Sequence, residues 1–404
     1  MPIELSFPRK RESSVFAART VLSVVAAFAL ISPAAFAETT GIEGLFGVEI
    51  RVALARSAVS SDIAGEGGLL VASAESGARL NTGSVDRIAV RRDRRGIKLN
   101  TLVFPVKSIR VEAQGGIVSF NGKRYRGYLV LWDNDKGTFD VVNHVPMEDY
   151  LRSVVAMEMP KSWPLEALKA QTVAARTYAL YRRQENAGTY FDVETDVMDQ
   201  VYGGVAVENG FTDAAVEGTS GLVLKYENQL VKAFFHANAG ERTENGEEVF
   251  RGVDVPYLKS VPCRYAKQSP YYVWQLSIRS QEIENALSRA GLFSGKITGI
   301  SAHSHTRTGR VRFLKVQGRS RSELVEATAF RAAIGSTRIK STRFSLRKQG
   351  QTFTFMGTGY GHGVGLCQWG AKGMAEAGKN FSEILSHYYP GITVSKDDFI
   401  ATPE

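Results

Sequence analysis

Hydrophobic and polar positions change rhythm several times along this chain. Between about 42 and 145 they alternate in short runs, such as "VEIRVAL", "RIAV", "SIRVEA", "GIVSF" and "GYLVLW". Alternation at period two, rich in Val, Ile and aromatics and broken by glycine, predicts strands with one buried face. Asn121-Gly122 sits between two such runs. That pair predicts a hairpin, because both residues accept the positive φ of a tight turn. Residues 64–84, rich in Gly, Ala and Ser, predict an irregular loop.

Near 162 the rhythm becomes helical. Ser162 reads as an N-cap, Pro164 fits the first turn, and Glu166 complements the helix N-terminus. "LEALKAQTVAARTYALYRRQ" follows, full of strong helix formers. The spacing predicts a helix over about 162–186. Leu165, Leu168, Thr172 and Ala175 fall on one face and Lys169 and Arg176 on another. Strand-like runs return from 223 to about 354 ("GLVLKY", "LVKAFF", "VRFLKVQG"), interrupted by a helical patch, "SQEIENALSRA". A Gly-rich block at 357–373 leads into a helix through Met374-Ala375-Glu376. No repeat of 20 to 50 residues marks a solenoid or propeller. The pattern is α+β: a strand-rich N-terminal region over 38–139, a core over 140–393 with one prominent helix, and a tail over 394–404.

Residues 1–37 have another character. Arg9, Lys10, Arg11 and Arg19 precede an apolar run from Val21 to Ile31, and Ala35-Phe36-Ala37 follows. This is the order of a secretory signal peptide. The run falls short of the roughly 20 apolar residues that span a bilayer. The expectation is export to the periplasm or cell envelope, with an uncleaved membrane anchor as the alternative. The chain of 404 residues carries a formal +9. In an exported protein that charge points away from nucleic acid and toward anionic envelope polymers or lipid surfaces. Arg91-Arg92-Asp93-Arg94-Arg95 reads as a solvated turn between strands. The two cysteines, Cys263 and Cys367, leave one disulfide, joint zinc ligation and two free thiols all open.

Candidate chemistry begins at Glu158, in "VVAMEMPKSWP". A carboxyl group flanked by Met157, Met159 and Trp163 loses hydration, which raises its pKa and keeps it protonated, as a general acid requires. The bland alternative is a surface or capping glutamate. Glu148 and Asp149 read as the start of a helix. His362 lies in "GTGYGHGVGLCQWGAKG", whose glycines imply positive-φ turns or close backbone approach. Tyr360, Gln368 and Trp369 in that block could give a sugar stacking faces and hydrogen bonds. His236 stands at a strand end beside a turn, where polar side chains reach clefts. No H-E-x-x-H, C-x-x-C, G-x-S-x-G or phosphate-cradle order occurs. The residues by themselves describe an exported α+β protein with a desolvated acid and an aromatic, glycine-rich cleft.

The stretch "VVNHVPMEDYLRSVVAMEMPKSWPLEALKAQTVAARTYAL" resembles the opening of the SpoIID family, also called the SpoIID/LytB domain. "DQVYGG" (199–204), "FFHANAG" (234–240), "PYLKSV" (256–261) and "GYGHGVGLCQWGAKGMAEAG" (359–378) follow in the family's order. The resemblance implies a peptidoglycan lytic transglycosylase that cleaves the MurNAc–GlcNAc bond without a cofactor. Its preferred substrate is glycan whose stem peptides an amidase has removed. Glu158 stands at the family's catalytic glutamate. Gln200, Tyr202, His236, Tyr360, His362, Gln368 and Trp369 are the implied substrate-binding residues. Two alternatives belong to the same resemblance: a non-catalytic glycan-binding activator of a cell-wall amidase, and a hydrolytic muramidase. The chain also departs from the family. After His236 it reads Ala237-Asn238-Ala239-Gly240-Glu241, where the family carries hydroxyl side chains. Some relatives bind zinc through a His and two Cys near this stretch. Here the cysteines stand about a hundred residues apart, and the resemblance implies a Cys263–Cys367 link or close contact rather than zinc.

Overall fold

Two six-stranded antiparallel-rich sheets form the N-terminal half of the computed structural model, which describes residues 48–195 and 200–397. The export signal expected over 1–37 lies outside those residues. The first strands are β1 (Glu49–Ala58), β2 (Ser60–Gly65), β3 (Leu69–Ser73), β4 (Arg87–Asp93), β5 (Gly96–Leu99) and β6 (Leu102–Phe104). Next come β7 (Ser108–Ala113), β8 (Ile117–Phe120), β9 (Lys123–Arg126), β10 (Tyr128–Asp133), β11 (Phe139–Pro146) and β12 (Val193–Glu194). One sheet runs β12-β1-β11-β10-β7-β3 and the other β6-β5-β4-β2-β8-β9. The alternation in the sequence is the cause: in β4, Ile88 and Val90 are buried while Arg87, Ala89 and Arg91 are exposed. Ile50, Val52, Ile109 and Val111 from one sheet share a core with Ile63, Ile88, Val90 and Val118 from the other.

The hairpin forms where it was read, with φ 49° at Asn121 and 81° at Gly122. Of the basic run only Arg94 and Arg95 form the exposed turn between β4 and β5; Arg91 to Asp93 finish β4, and Arg92 is anchored to Asp133 at 2.8 Å. One expectation fails. Residues 64–84 contain β3, which pairs with β7 and buries Leu69 and Val71. Its few apolar residues among glycines give little local signal, and the partner strand decides the conformation.

Strand β11 runs directly into α1 (Met147–Glu158), with Glu148 and Asp149 in its first turn. Then comes α2 (Leu165–Glu185), which begins three residues later than predicted. Pro164 occupies the N-cap position, and Ser162 does not cap: Trp163 N–H bonds to Pro160 O at 3.0 Å, so 160–163 form a separate turn. Helix α2 is buried on two sides. Leu168, Ala175, Ala179 and Leu180 pack on the N-terminal core, while Ala167, Ala170, Val173, Ala174 and Tyr178 pack on a second core. Arg176 is fully buried; its Nε and Nη2 donate to Glu148 at 2.9 and 2.6 Å, and its Nη1 to Leu222 O at 3.0 Å. Lys169 pairs with Glu166, 2.8 Å away on its own helix. Both cations therefore serve the helix packing.

After α3 (Gly210–Glu217), the strands β13 (Leu222–Tyr226) and β14 (Gln229–Leu230) lead to β15 (Phe235–His236) and the single turn α4 (Gly246–Val249). A module follows: β16 (Val273–Arg279), α5 (Ser280–Arg289), β17 (Ile297–His305), β18 (Val311–Gly318), β19 (Ser322–Glu326), α6 (Ala327–Ile334), β20 (Phe344–Gln349) and β21 (Thr352–Thr358). Its two sheets, β16-β21-β20 and β17-β18-β19, enclose a core of their own that includes Trp274, Leu314, Phe330, Phe353 and Phe355. The chain returns through β22 (Leu366–Cys367), which pairs in parallel with β15, Phe235 opposite Leu366 and His236 opposite Cys367. It ends with α7 (Gln368–Glu376), α8 (Phe381–Tyr388) and β23 (Thr393–Lys396), which pairs with β13 across the boundary read at 393.

Helix α7 starts at Gln368, six residues before the predicted helical stretch. Its glycines are there for contact rather than for a loop. A Cβ at Gly370 would lie 1.8 Å from Tyr388 Oη and 2.7 Å from Cys263 Sγ. Gly370→Ala is therefore expected to destabilise the protein by about 1–3 kcal/mol through overpacking, despite alanine's better helix propensity. Chemical denaturation checks this.

Candidate active site

Glu158 is the last residue of α1, and three segments meet there. Gln368, at the start of α7, donates from Nε2 to Glu158 Oε2 at 2.9 Å. The Val201 backbone amide also bonds to the carboxylate. Burial pushes the Glu158 pKa up, and these two hydrogen bonds only partly offset it. The C-terminal end of a helix, with its partial negative charge, acts in the same upward direction. The result is a carboxyl group biased toward its neutral, proton-donating form.

The surroundings are apolar and open to solvent on one side. Met157 is 45% exposed and Leu165 44%. Trp163 and Trp369 meet edge to face with centroids 4.9 Å apart, both partly exposed. Such a rim can take the apolar faces of sugar rings while the acid and Gln368 meet their hydroxyls. By contrast, a concavity of about 420 Å3 on the N-terminal sheet, lined among others by Glu66, Asp86 and Arg124, has no aromatic face.

Gln200 and Tyr202, which the resemblance implied as cleft residues, are instead turned into the interior. Gln200 accepts from Tyr150 Oη at 2.9 Å and donates to Ala175 O at 3.3 Å. Tyr202 Oη donates to Asn143 Oδ1 at 2.9 Å. Both are buried. They pin the loop 200–204, so that the Val201 amide reaches the acid and Gly203 N–H bonds to Ser153 Oγ at 2.9 Å.

His236 and His362 form a second group, with rings 5.3 Å apart. His236 is buried, Nδ1 bonds to Val364 O at 3.1 Å, and Nε2 has no partner. His362 Nε2 bonds to Phe235 O at 2.8 Å while Nδ1 accepts Val364 N–H at 3.1 Å, which fixes the Nε2–H tautomer. Burial drives the His236 pKa well down and that of His362 to about 4. Both rings are neutral near pH 7. Among the described residues no hydrogen bond joins either to Glu158; they tie β15 to the glycine-rich segment. A Cβ at Gly361, where φ is 110°, would stand 2.7 Å from His236 Cβ, which is why glycine occupies that position. Tyr360 stands in another group, edge to face with Tyr271 at 5.1 Å.

Cys263 and Cys367 are buried, free and in contact with each other. Cys367 caps α7, its Sγ accepting from Gly370 N at 3.4 Å and Ala239 N at 3.2 Å; Cys263 first, then these amides, hold its pKa down despite burial. Cys263 faces Tyr388 Oη at 3.2 Å. Among the described residues no three His, Cys, Asp or Glu side chains are grouped to hold a metal.

Sequence reasoning missed Gln171. It is fully buried on α2, its Oε1 is 3.5 Å from Gln368 Nε2, and its own Nε2 has no partner. It steadies the amide that meets the acid. The signal was a glutamine among the alanines of an otherwise buried helix.

Comparison with known proteins agrees with this architecture. A family model described as Stage II sporulation protein (SpoIID) matches residues 135–226, which hold α1, α2 and the loop around the acid. A second, a domain of unknown function (DUF8618), matches 263–365, the inserted module. A Stage II sporulation protein D of Bacillus amyloliquefaciens is 34% identical over 275 residues, covering 64% of this chain and 76% of that protein. An uncharacterized protein of Brachyspira hyodysenteriae is 34% identical over 76% of this chain and 82% of its own length. The Amidase enhancer of Bacillus subtilis (strain 168) is 32% identical over 61% of this chain, though over only 40% of its own length. This chain is an α+β protein with an acid at the end of its first helix. The chain belongs to the SpoIID family.

Proposed function

We propose that this protein is a peptidoglycan lytic transglycosylase acting on stem-peptide-free glycan, with Glu158 as its general acid and base. The observation that carries the reading is the single carboxyl group at the end of α1, raised in pKa by burial and held by Gln368 beside an aromatic rim. A glycosidase of the ordinary kind needs two carboxyl groups. Here one suffices if the nucleophile belongs to the substrate. Glu158 gives its proton to the glycosidic oxygen as the bond to the muramic acid anomeric carbon breaks. The C6 hydroxyl of the same sugar then attacks that carbon and returns its proton to Glu158, leaving a 1,6-anhydro ring. Export, as read from residues 1–37, puts the protein where this substrate is.

The similarity to an Amidase enhancer supports a second reading, a glycan-binding activator of a separate cell-wall amidase. Incubation of purified protein with amidase-stripped glycan, with no amidase present, separates the two. Release of soluble saccharides is expected. No release, together with stimulation of an added amidase, would favour the activator.

The pH profile supplies a further expectation. Glu158 acts as an acid only while protonated, so the rate falls as pH rises through its elevated pKa. Gln368→Ala removes a hydrogen bond that favours the carboxylate. The alkaline limb is expected to move to higher pH, and the optimum rate to fall about tenfold. An unmoved limb would show that Gln368 does not address the acid.

A further inference from the structure

The module over 263–365 holds 17 Lys and Arg against four Asp and Glu, a balance of +13 in a chain whose total is +9. The rest of the chain is therefore slightly acidic, and the basic character first read for the whole protein belongs to this module. One sheet face carries two of these cations, Arg279 and Arg347, with no acid beside them. The pairings of β16, β21 and β20 put Val273, Gln275, Ser277 and Arg279 on the same side as Thr354, Met356, Ser345 and Arg347. Trp274, Ile278, Phe353 and Phe355 turn the other way, into the module's core. The outward side has no acidic residue. Val273 is 67% exposed and Met356 45%. Arg279 and Arg347 are exposed, and no ion pair engages either among the described residues.

This face leads to an aromatic group. Strand β16 begins two residues after Tyr271, and β21 ends two residues before Tyr360. Lys340 Nζ stands 5.2 Å from the Tyr271 ring and 5.0 Å from the Tyr360 ring. Tyr360 exchanges backbone hydrogen bonds with Asn238, at 2.7 and 2.9 Å, which joins this end of the module to the segment after His236.

Cations beside apolar and hydroxyl groups, next to two aromatic rings, suit a polymer that is both a sugar and an anion. Removal of the stem peptide from muramic acid frees a lactyl carboxylate on every second sugar; in intact strands that carboxyl group is an amide. We propose that the outer face of β16-β21-β20, with Lys340 at its end, is a docking surface that recognises stem-peptide-free glycan by these carboxylates. The inference rests on the glycan reading above and assigns selectivity to a module separate from the segments that surround the acid.

The test uses the full chain carrying Glu158→Gln, so that glycan is bound and not consumed. Binding to amidase-stripped glycan is measured before and after its carboxylates are converted to methylamides. The Arg279→Gln/Arg347→Gln pair is expected to weaken binding about fivefold, and Lys340→Gln to add to it, with the difference shrinking at high salt. Methylamidation should weaken the parent to the degree that the combined three-site variant shows and leave that variant unchanged. Equal binding by parent and variants, or indifference of the parent to methylamidation, overturns the proposal. So does loss of binding to phosphatidylglycerol vesicles with glycan binding retained, which would assign the face to a membrane. The catalytic reading stands or falls separately, by saccharide release from wild-type protein. Carboxylate-dependent binding without release leaves the docking surface intact and removes the enzyme.

Discussion

Glu158→Gln is expected to lower saccharide release from stripped glycan by about 10²–10⁴-fold, the usual contribution of a positioned general acid. Glutamine keeps the shape and a hydrogen-bonding oxygen but has no proton to give. The same substitution is expected to raise stability at neutral pH. A carboxyl group whose folded-state pKa lies above its unfolded value binds more protons in the folded state between the two. Stability then falls as pH rises across that interval and stays reduced above it. An amide escapes this penalty. Thermal melting at neutral pH, where the variant should unfold later than wild type, and at pH 4, where the gap should close, checks the sign. A variant that is inactive and also less stable at neutral pH would indicate a structural role for Glu158 instead.

Glu148→Ala is expected to have the largest effect on stability, about 3–5 kcal/mol. It leaves the fully buried Arg176 guanidinium with only the Leu222 carbonyl, and breaking one side of a buried pair strands an uncompensated charge. The pair joins the first turn of α1 to the middle of α2, so its loss loosens the helix whose far end carries Glu158. Combining Glu148→Ala with Arg176→Met should recover much of the stability, because a matched apolar replacement removes the stranded charge. Urea unfolding of wild type and the two variants tests this. A loss below about 1 kcal/mol in Glu148→Ala would mean that water reaches the guanidinium.

Much of this architecture was legible because its signals are local. Alternation within six residues marked β4, β7 and β10, Asn121-Gly122 marked its hairpin, and the apolar neighbours of Glu158 foretold a raised pKa. What was not legible depends on segments far apart. Gln171 matters because α2 brings it against Gln368, 197 residues later. Gly370 and Gly373 read as loop because nothing nearby shows that Tyr388, Cys263 and Tyr265 crowd against α7. Gln200 and Tyr202 carry the residue types of a cleft, yet their partners Tyr150 and Asn143 draw them inward. Glu148 and Asp149 marked the start of α1, whereas its extent to Glu158 depends on packing against distant segments.

One carboxyl group working with a nucleophile supplied by the sugar itself leaves a distinctive product. Mass spectrometry of the chain ends released from amidase-stripped glycan by the wild-type protein reads it directly. The account predicts 1,6-anhydromuramyl ends, lighter than reducing ends by one water. Reducing ends would place a water molecule where the C6 hydroxyl is proposed to act and would contradict the one-acid mechanism.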